Sequence, residues 1–292
     1  AHLARSHARP LHSPQSSLPQ LLLQHPLPSG HHLSVVRGND VALRDCELGE
    51  LVSNIQRHHI IALSETRTNN INRLLQFMPQ YVLIGNTNVP SMSNGRKGKG
   101  LAMIVSNKLA DHFTLLDVSH YTQTVYMRCS PELFGKDQPI IFAATYLVPE
   151  QSGDKRDTTA QYMHLANDLQ QILHISPHLV ICGDLNAQIG EFDEITEAHS
   201  DTVAVCPQLS LKRTIQCQQT NKAGQLLLHL ASTLGLILTT GRTPGDKGQP
   251  TFLNYNKTYR SRPDHVVASQ TMFLHVQKTY IKDKQRMPSA SH

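Results

Sequence analysis

The chain has 292 residues, 39% of them hydrophobic and 17% charged, which is enough apolar material for one large α/β domain and excludes a wholly disordered chain. The formal net charge of +5 is compatible with a polyanionic partner without requiring one. The five cysteines (Cys46, Cys129, Cys182, Cys206, Cys217) form no C-x-x-C pair, which argues against a disulfide framework or zinc ribbon and for a reducing, intracellular location.

Residues 1–32 are rich in His, Pro, Ser, Gln and Leu without periodicity, and are expected to form a disordered tail ahead of a domain over 33–292. A first short strand is predicted at 33–36. Leu48, Leu51, Val52 and Ile55 follow helical spacing, and 59–63 reads as a buried strand. Further strands are predicted at 81–84, 101–105, 124–127 and 140–146. Thr158 and Gln161 have the spacing of a capping box, opening a helix with Tyr162, Leu165, Ala166, Leu169 and Leu173 on one face. The run 178–183 is apolar and of strand length. A second amphipathic helix spans 222–234, with Gly235 placed to end it. Strands at 236–239, 251–253, 264–268 and 273–280 complete the series, and the residues from 283 onward are polar. Many strands with few, widely spaced helices predict packed sheets covered by helices. No apolar run approaches the ~18 residues that cross a bilayer, so no membrane association is expected.

Gly183-Asp184-Leu185-Asn186-Ala187 follows directly on a buried apolar strand and is the strongest local signal. A strand end is a rigid platform, and Asp184 and Asn186, two apart, project the same way. A carboxylate and an amide there suit polarising a water and holding a phosphate oxygen, although the same sequence is also a common turn. Glu65 stands just past a second buried strand; as an oxygen ligand it suits a hard cation such as Mg²⁺ or Mn²⁺, and as a charge it equally suits a helix N-terminus. The 18 histidines show no metal-ligand spacing, and His31-His32 and His58-His59 read as surface or strand-end residues. The segment 94–100, Asn-Gly-Arg-Lys-Gly-Lys-Gly, lacks the ending of a phosphate-binding P-loop and reads as a basic hairpin loop. Lys278, Lys282, Lys284 and Arg286 read as a solvated face.

The order of segments resembles the endonuclease/exonuclease/phosphatase superfamily, which includes apurinic endonucleases, and is most similar to the endonuclease domain of non-LTR retrotransposons. Residues 33–39 sit where the family has a strand ending in Trp-Asn, and Ala62-Leu63-Ser64-Glu65-Thr66-Arg67 matches its A-L-Q-E-T-R. Residues 100–106 match its central strand, and 144–149 match V-Y-A-P. The run from Val180 to Gly190 matches G-D-F-N-A-x-x-G. Asn221 to Gly224, 236–239, Thr251-Phe252 and 261–265 follow in the family's order. The resemblance covers about 33–292.

It implies a four-layered α/β sandwich, two packed mixed β-sheets flanked by helices. It also implies Mg²⁺- or Mn²⁺-assisted in-line hydrolysis of DNA phosphodiesters. Glu65, with Asn39, would hold the metal; Asp184 would orient and deprotonate the attacking water; Asn186 would position Asp184 or a phosphate oxygen; Tyr146 would donate to the phosphate. Asp264 matches the residue that holds a C-terminal histidine, for which His292 is the candidate. Arg67, Asn221 and Thr251 match positions facing nucleic acid. The expected partner is DNA, the expected state a monomer, and a nuclear location follows only from a DNA substrate.

The pattern breaks at both ends. Gly38 replaces the usual Trp, and Asp40 follows Asn39 directly, reading as a turn residue or as an acid shifted in register. Ser291 stands where the family has Asp, and the closing strand after the histidine is missing, which predicts an exposed sheet edge. Two other functions are therefore weighed: a catalytically inactive nucleic-acid-binding or scaffold remnant, and a phosphatase or phosphodiesterase for small or lipid phosphates.

Overall fold

In a computed structural model, the described residues are 15–16, 18–23, 33–39, 58–64, 66, 71–87, 100–149, 156–195, 204, 210, 212–253 and 259–282. The first strands are β1 (Gln15–Ser16), β2 (Leu18–Leu23), β3 (Leu33–Asn39) and β4 (Ile60–Ser64), followed by a short helix α1 (Asn72–Leu75). Next come β5 (Tyr81–Asn86), β6 (Leu101–Ser106), β7 (Phe113–Ser119), β8 (Thr124–Cys129) and β9 (Ile140–Tyr146). Helix α2 (Thr158–Ile175) leads to β10 (Leu179–Asp184), and α3 (Lys222–Leu234) to β11 (Leu236–Leu238). The remainder is β12 (Phe252–Leu253), β13 (Arg260–Ser261), β14 (Asp264–Ser269), α4 (Gln270–Phe273) and β15 (Val276–Lys282).

The strands form two six-stranded sheets, β11-β14-β10-β9-β8-β7 and β15-β2-β3-β4-β6-β5, with a small third sheet β1-β12-β13. Both large sheets are mixed: β9 and β10 are parallel, as are β3 and β4, and the remaining pairings are antiparallel. Alternation along each strand sorts side chains into three cores. Ile60, Ala62, Met103, Phe142, Ala144, Val180, Cys182 and Val266 meet between the sheets. Ile141, Ala143, Ile181 and Val267 face outward against Tyr162, Leu165, Leu169 and Ile172 of α2 and Leu227, Leu230 and Ala231 of α3. Ile61, Leu63, Ala102 and Ile104 pack beneath Leu74 of α1. This is the four-layered sandwich, helix, sheet, sheet, helix.

Four strands were not legible: the two-residue β1 and β13, and the longer β2 and β7. Residues 18–23, within the expected tail, form β2, which pairs with β3 on one side and β15 on the other. The pairing is between backbones of distant segments, which composition does not report. It also places β3 inside its sheet, and the edges of that sheet among the described residues are β15 and β5. In β7, exposed Thr114 and Leu115 break the alternation at a register shift opposite β8. The predicted helix around 48–55 lies outside the described residues.

Helix α2 begins where expected but is capped differently. Asp157 is its N-cap, accepting from Ala160 N at 2.9 Å. Gln161 is buried and makes a two-pronged bond to Val148, accepting from its N–H at 2.8 Å and donating to its carbonyl at 3.1 Å. It thus ties the helix to the chain leaving β9, two residues past Tyr146. A capping-box Gln tolerates exchange for Glu, whereas this one does not, because a carboxylate cannot donate to a carbonyl. Gln161→Glu is therefore expected to cost ~1–3 kcal/mol, the penalty of an unsatisfied buried acceptor, read as a lower urea midpoint at unchanged m-value. An unchanged midpoint would point to the capping-box role.

Candidate active site

Three strand ends bring three of the expected residues into one row. Asp184 ends β10, and its register partners are Tyr146 on parallel β9 and Asp264 on antiparallel β14. Neighbouring strands lie ~4.8 Å apart, so the three residues are adjacent across the sheet. Each has the parity of the inter-sheet core, following Ala144, Cys182 and Val266, so all three face the gap between the sheets at the end of that core. Asp184 is partly exposed, whereas Tyr146 and Asp264 are each 1% exposed. Gly183 has to be glycine: a Cβ there would stand 1.8 Å from Thr145 O on β9.

The opposite sheet contributes the ends of β3 and β4. Asn39 pairs in register with Ser64, the residue that precedes Glu65 in the chain. Ser64 is buried and continues the parity of Ile60 and Ala62 toward the inter-sheet gap. The side chain of Asn39 is not among those described, and Glu65, Arg67 and His292 lie outside the described residues, as does Asp40.

The loop after β10 is fixed along its whole length. Asp184 Oδ1 accepts from Asn186 N at 3.0 Å, an Asx turn that orients the carboxylate. Asn186 takes the left-handed conformation at φ 48°, which Asn tolerates better than other non-glycine residues, and its Nδ2 donates to Leu147 O at 2.6 Å. Asn186 therefore spends its amide on the chain leaving β9, which suits positioning Asp184. Tyr162 of α2 donates to Leu185 O at 2.9 Å, and burial together with the charge of Asp184 raises its pKa well above normal, keeping it a donor.

Asn221, expected to face nucleic acid, is the N-cap of α3 and clasps this loop. Its Oδ1 accepts from Gly224 N at 2.7 Å and from Gln188 N at 2.9 Å, and its Nδ2 donates to Asn186 O at 2.9 Å. The backbone closes the ring, Asn221 N donating to Gln188 O at 3.0 Å. The approach is close enough that a Cβ on Gly224 would fall 1.8 Å from Gln188 O. Thr251, the third residue expected at nucleic acid, is 1% exposed and belongs to the interior, its N–H donating to Ser261 O at 3.0 Å.

Several supporting residues escaped the sequence reading. His265 is completely buried on the outward face of β14, its Nε2 2.8 Å from Ala187 O and its Nδ1 2.9 Å from Thr240 Oγ1. Arg262, two residues before Asp264, grips Asp246 through two bonds of 2.6 Å. Burial works against the Asp246 charge, but the guanidinium outweighs it and holds the carboxyl below its usual range. Glu194 accepts from Leu238 N at 2.8 Å and meets Arg242 at 3.3 Å and Arg213 at 3.6 Å. These buried pairs anchor the turns around β14, and breaking one partner away from such a pair leaves an uncompensated charge. In sequence they are charges in a polar stretch with Gly and Pro, which is also how an exposed loop reads.

Burial, then the charge of Arg262, push the pKa of His265 down to about 3. The folded chain thus holds a neutral ring where the unfolded chain, with its ordinary value of 6.5, takes up a proton. Stability from this residue is complete above pH 6.5 and is lost as the pH falls toward 3, at up to ~1.4 kcal/mol per pH unit. The difference in urea-unfolding free energy between wild type and His265→Gln should shrink with that slope over this window. A difference independent of pH would show that the folded ring titrates normally.

Comparison with known proteins shows what the chain and its fold are similar to. A profile described as the Endonuclease/Exonuclease/phosphatase family matches residues 36–286. Among solved structures, a 3′-5′ exonuclease from Neisseria meningitidis superposes with a TM-score of 0.52 at 14% identity, covering 82% of this chain and 87% of that one. A Neisseria 3′ phosphatase bound to a product DNA hairpin gives 0.50 at 16% identity, with the same 82% and 87% coverage. The endonuclease domain of a telomere-specific non-LTR retrotransposon gives 0.46 at 14% identity, covering 82% and 85%. No curated protein matches the chain in sequence.

Proposed function

The chain belongs to the endonuclease/exonuclease/phosphatase family, and on that premise we propose that it hydrolyses phosphodiester bonds in DNA with the help of a divalent cation. The observation that carries this reading is the row Tyr146, Asp184, Asp264 across three neighbouring strand ends. Asp184 is the member that meets solvent, and its carboxylate is already oriented by Asn186 N. It accepts the proton of the attacking water, while Tyr146 donates a hydrogen bond to a phosphate oxygen.

The donor chemistry fits a hard cation. Two carboxylates, Asp184 and Asp264, stand opposite each other in register on adjacent strands, an arrangement that a bound cation would stabilise. The candidates to hold the ion, Glu65 and Asn39, offer oxygen only, which suits Mg²⁺ or Mn²⁺. Among the described residues, no cluster of three His, Cys, Asp or Glu side chains competes for it. When bound, such a cation neutralises charge developing on the phosphoryl and leaving oxygens.

DNA as the substrate is supported by one similar structure, a Neisseria 3′ phosphatase bound to a product DNA hairpin, and by exposed cations on the segments that lead into β14. Lys212, Lys247 and Arg260 are exposed, on segments held together by Thr214 N to Gly241 O at 2.8 Å and Gln216 Nε2 to Lys247 O at 3.1 Å. Arg260 begins the strand two residues before Arg262, whose neighbour after Pro263 is Asp264. Exposed cations of this kind suit contact with a phosphate backbone.

Single-turnover cleavage of end-labelled duplex DNA in Mg²⁺ tests the reading. Asp184→Asn should reduce the rate ~10²–10⁴-fold, the usual scale for a general base. Tyr146→Phe should reduce it ~10-fold or more, as for one hydrogen bond to a charged group. Hydrolysis of phosphomonoesters with intact duplex would move the assignment to a phosphatase, and no hydrolysis of either by folded protein would leave a binding or scaffold role.

A further inference from the structure

We propose that His265 is a positioning residue for Asp184, its buried ring tying the loop after β10 to the strand that carries Asp264. The inference rests on the hydrolase reading above and extends it to a residue that touches no substrate. Asp264 and His265 are consecutive on β14 and so point to opposite faces, the first into the inter-sheet gap and the second outward beneath the loop. His265 is the register partner of Gly183, immediately before Asp184, and its ring reaches Ala187, three residues after it. The carboxylate that acts on water is thereby held between two attachments to the same residue, one through the ladder and one through the side chain.

The ring chemistry permits one arrangement. Ala187 O only accepts, so Nε2 carries the proton and donates across 2.8 Å. Nδ1 is then bare and accepts from the Thr240 hydroxyl at 2.9 Å. Thr240 follows β11, the strand on the other side of β14, so the ring joins the loop, β14 and the turn after β11. With no solvent exposure, no water can replace a lost donor to Ala187 O. Loop placement matters because a displacement of ~1 Å at a reacting group lowers rate ~10²-fold.

The two amide analogues separate the roles of the ring nitrogens. A glutamine places its Nε2 where the ring's Nε2 lies and keeps the donor to Ala187, whereas an asparagine reaches only the Nδ1 position. In Mg²⁺-dependent DNA cleavage, His265→Asn should lose ~10²-fold in kcat with KM changed less than ~3-fold, and His265→Gln should recover most of that rate. Hydrogen exchange reports the tie without reference to activity: the amides of Asn186 and Gln188, bonded to Asp184 and Asn221, should exchange faster in His265→Asn than in His265→Gln. If His265→Asn does not fold, Thr240→Val, which frees Nδ1 alone, should lower kcat without raising KM. Equal exchange and equal kcat in the two amide variants would overturn the proposal, as would a loss carried by KM. A wild type that cleaves no phosphoester would instead overturn the hydrolase reading, which the exchange data distinguish from failure of the tie.

Discussion

The loop after β10 is held to the body of the protein above all by one side chain. Asn221 caps α3 through Gly224 N and, with the same oxygen, binds Gln188 N, while its amide nitrogen binds Asn186 O. The helix terminus and the loop after β10 thus share a single residue, and neither can move without the other. Helix α3 is itself fixed by Leu227, Leu230 and Ala231 against the outward face of the sheet. The rigidity of a packed helix is in this way passed to a short loop that has no regular structure of its own. Tyr162 from α2 and His265 from β14 secure the same loop from two further directions. Preorganisation of this kind would serve the general-base role proposed for Asp184, since it spares reorganisation when the reaction occurs.

In the proposed hydrolysis, the row of strand ends supplies the chemistry that this loop supports. Parallel β9 and β10 and antiparallel β14 bring Tyr146, Asp184 and Asp264 to one level. On the facing sheet, β3 and β4 are parallel and end at Asn39 and Ser64, immediately before Glu65. Both sheets therefore end in residues that carry oxygen donors, the donor type that the proposed hard cation takes. The buried Arg262–Asp246 and Arg242–Glu194 pairs stand apart from this chemistry. They are electrically balanced and their work is to fix the turns that lead into β14.

The sequence carried most of the fold because its signals are local. Helix α3 and its terminator Gly235, strand β9, and the buried runs of β4 and β10 follow from periodicity and turn chemistry alone. What periodicity does not report is pairing between distant segments, which is how residues 18–23 enter a sheet. The site shows the same division. Asp184 stands out because a carboxylate directly after a buried strand sits on a rigid platform, although the same sequence also makes a common turn, and its alignment with Tyr146 and Asp264 is a matter of register. Gln161 was marked as a capping-box residue, not as the tie to Val148 that it makes, and His265 fell within a matched segment without a role, because a polar residue beside an apolar run reads equally as surface. Asn221 was marked by resemblance, and its contacts give it a part in the loop's support that no motif spells out.

The most direct measurement is relaxation of supercoiled plasmid by purified protein in Mg²⁺, in EDTA, and with Asp184→Ala beside wild type. The expected result is nicking that needs the metal, vanishes in EDTA, and is absent in a variant with an unchanged melting temperature. Wild type that is folded and leaves the plasmid intact, or a variant that nicks as fast as wild type, would contradict the placement of Asp184 at the centre of a metal-assisted DNA hydrolase.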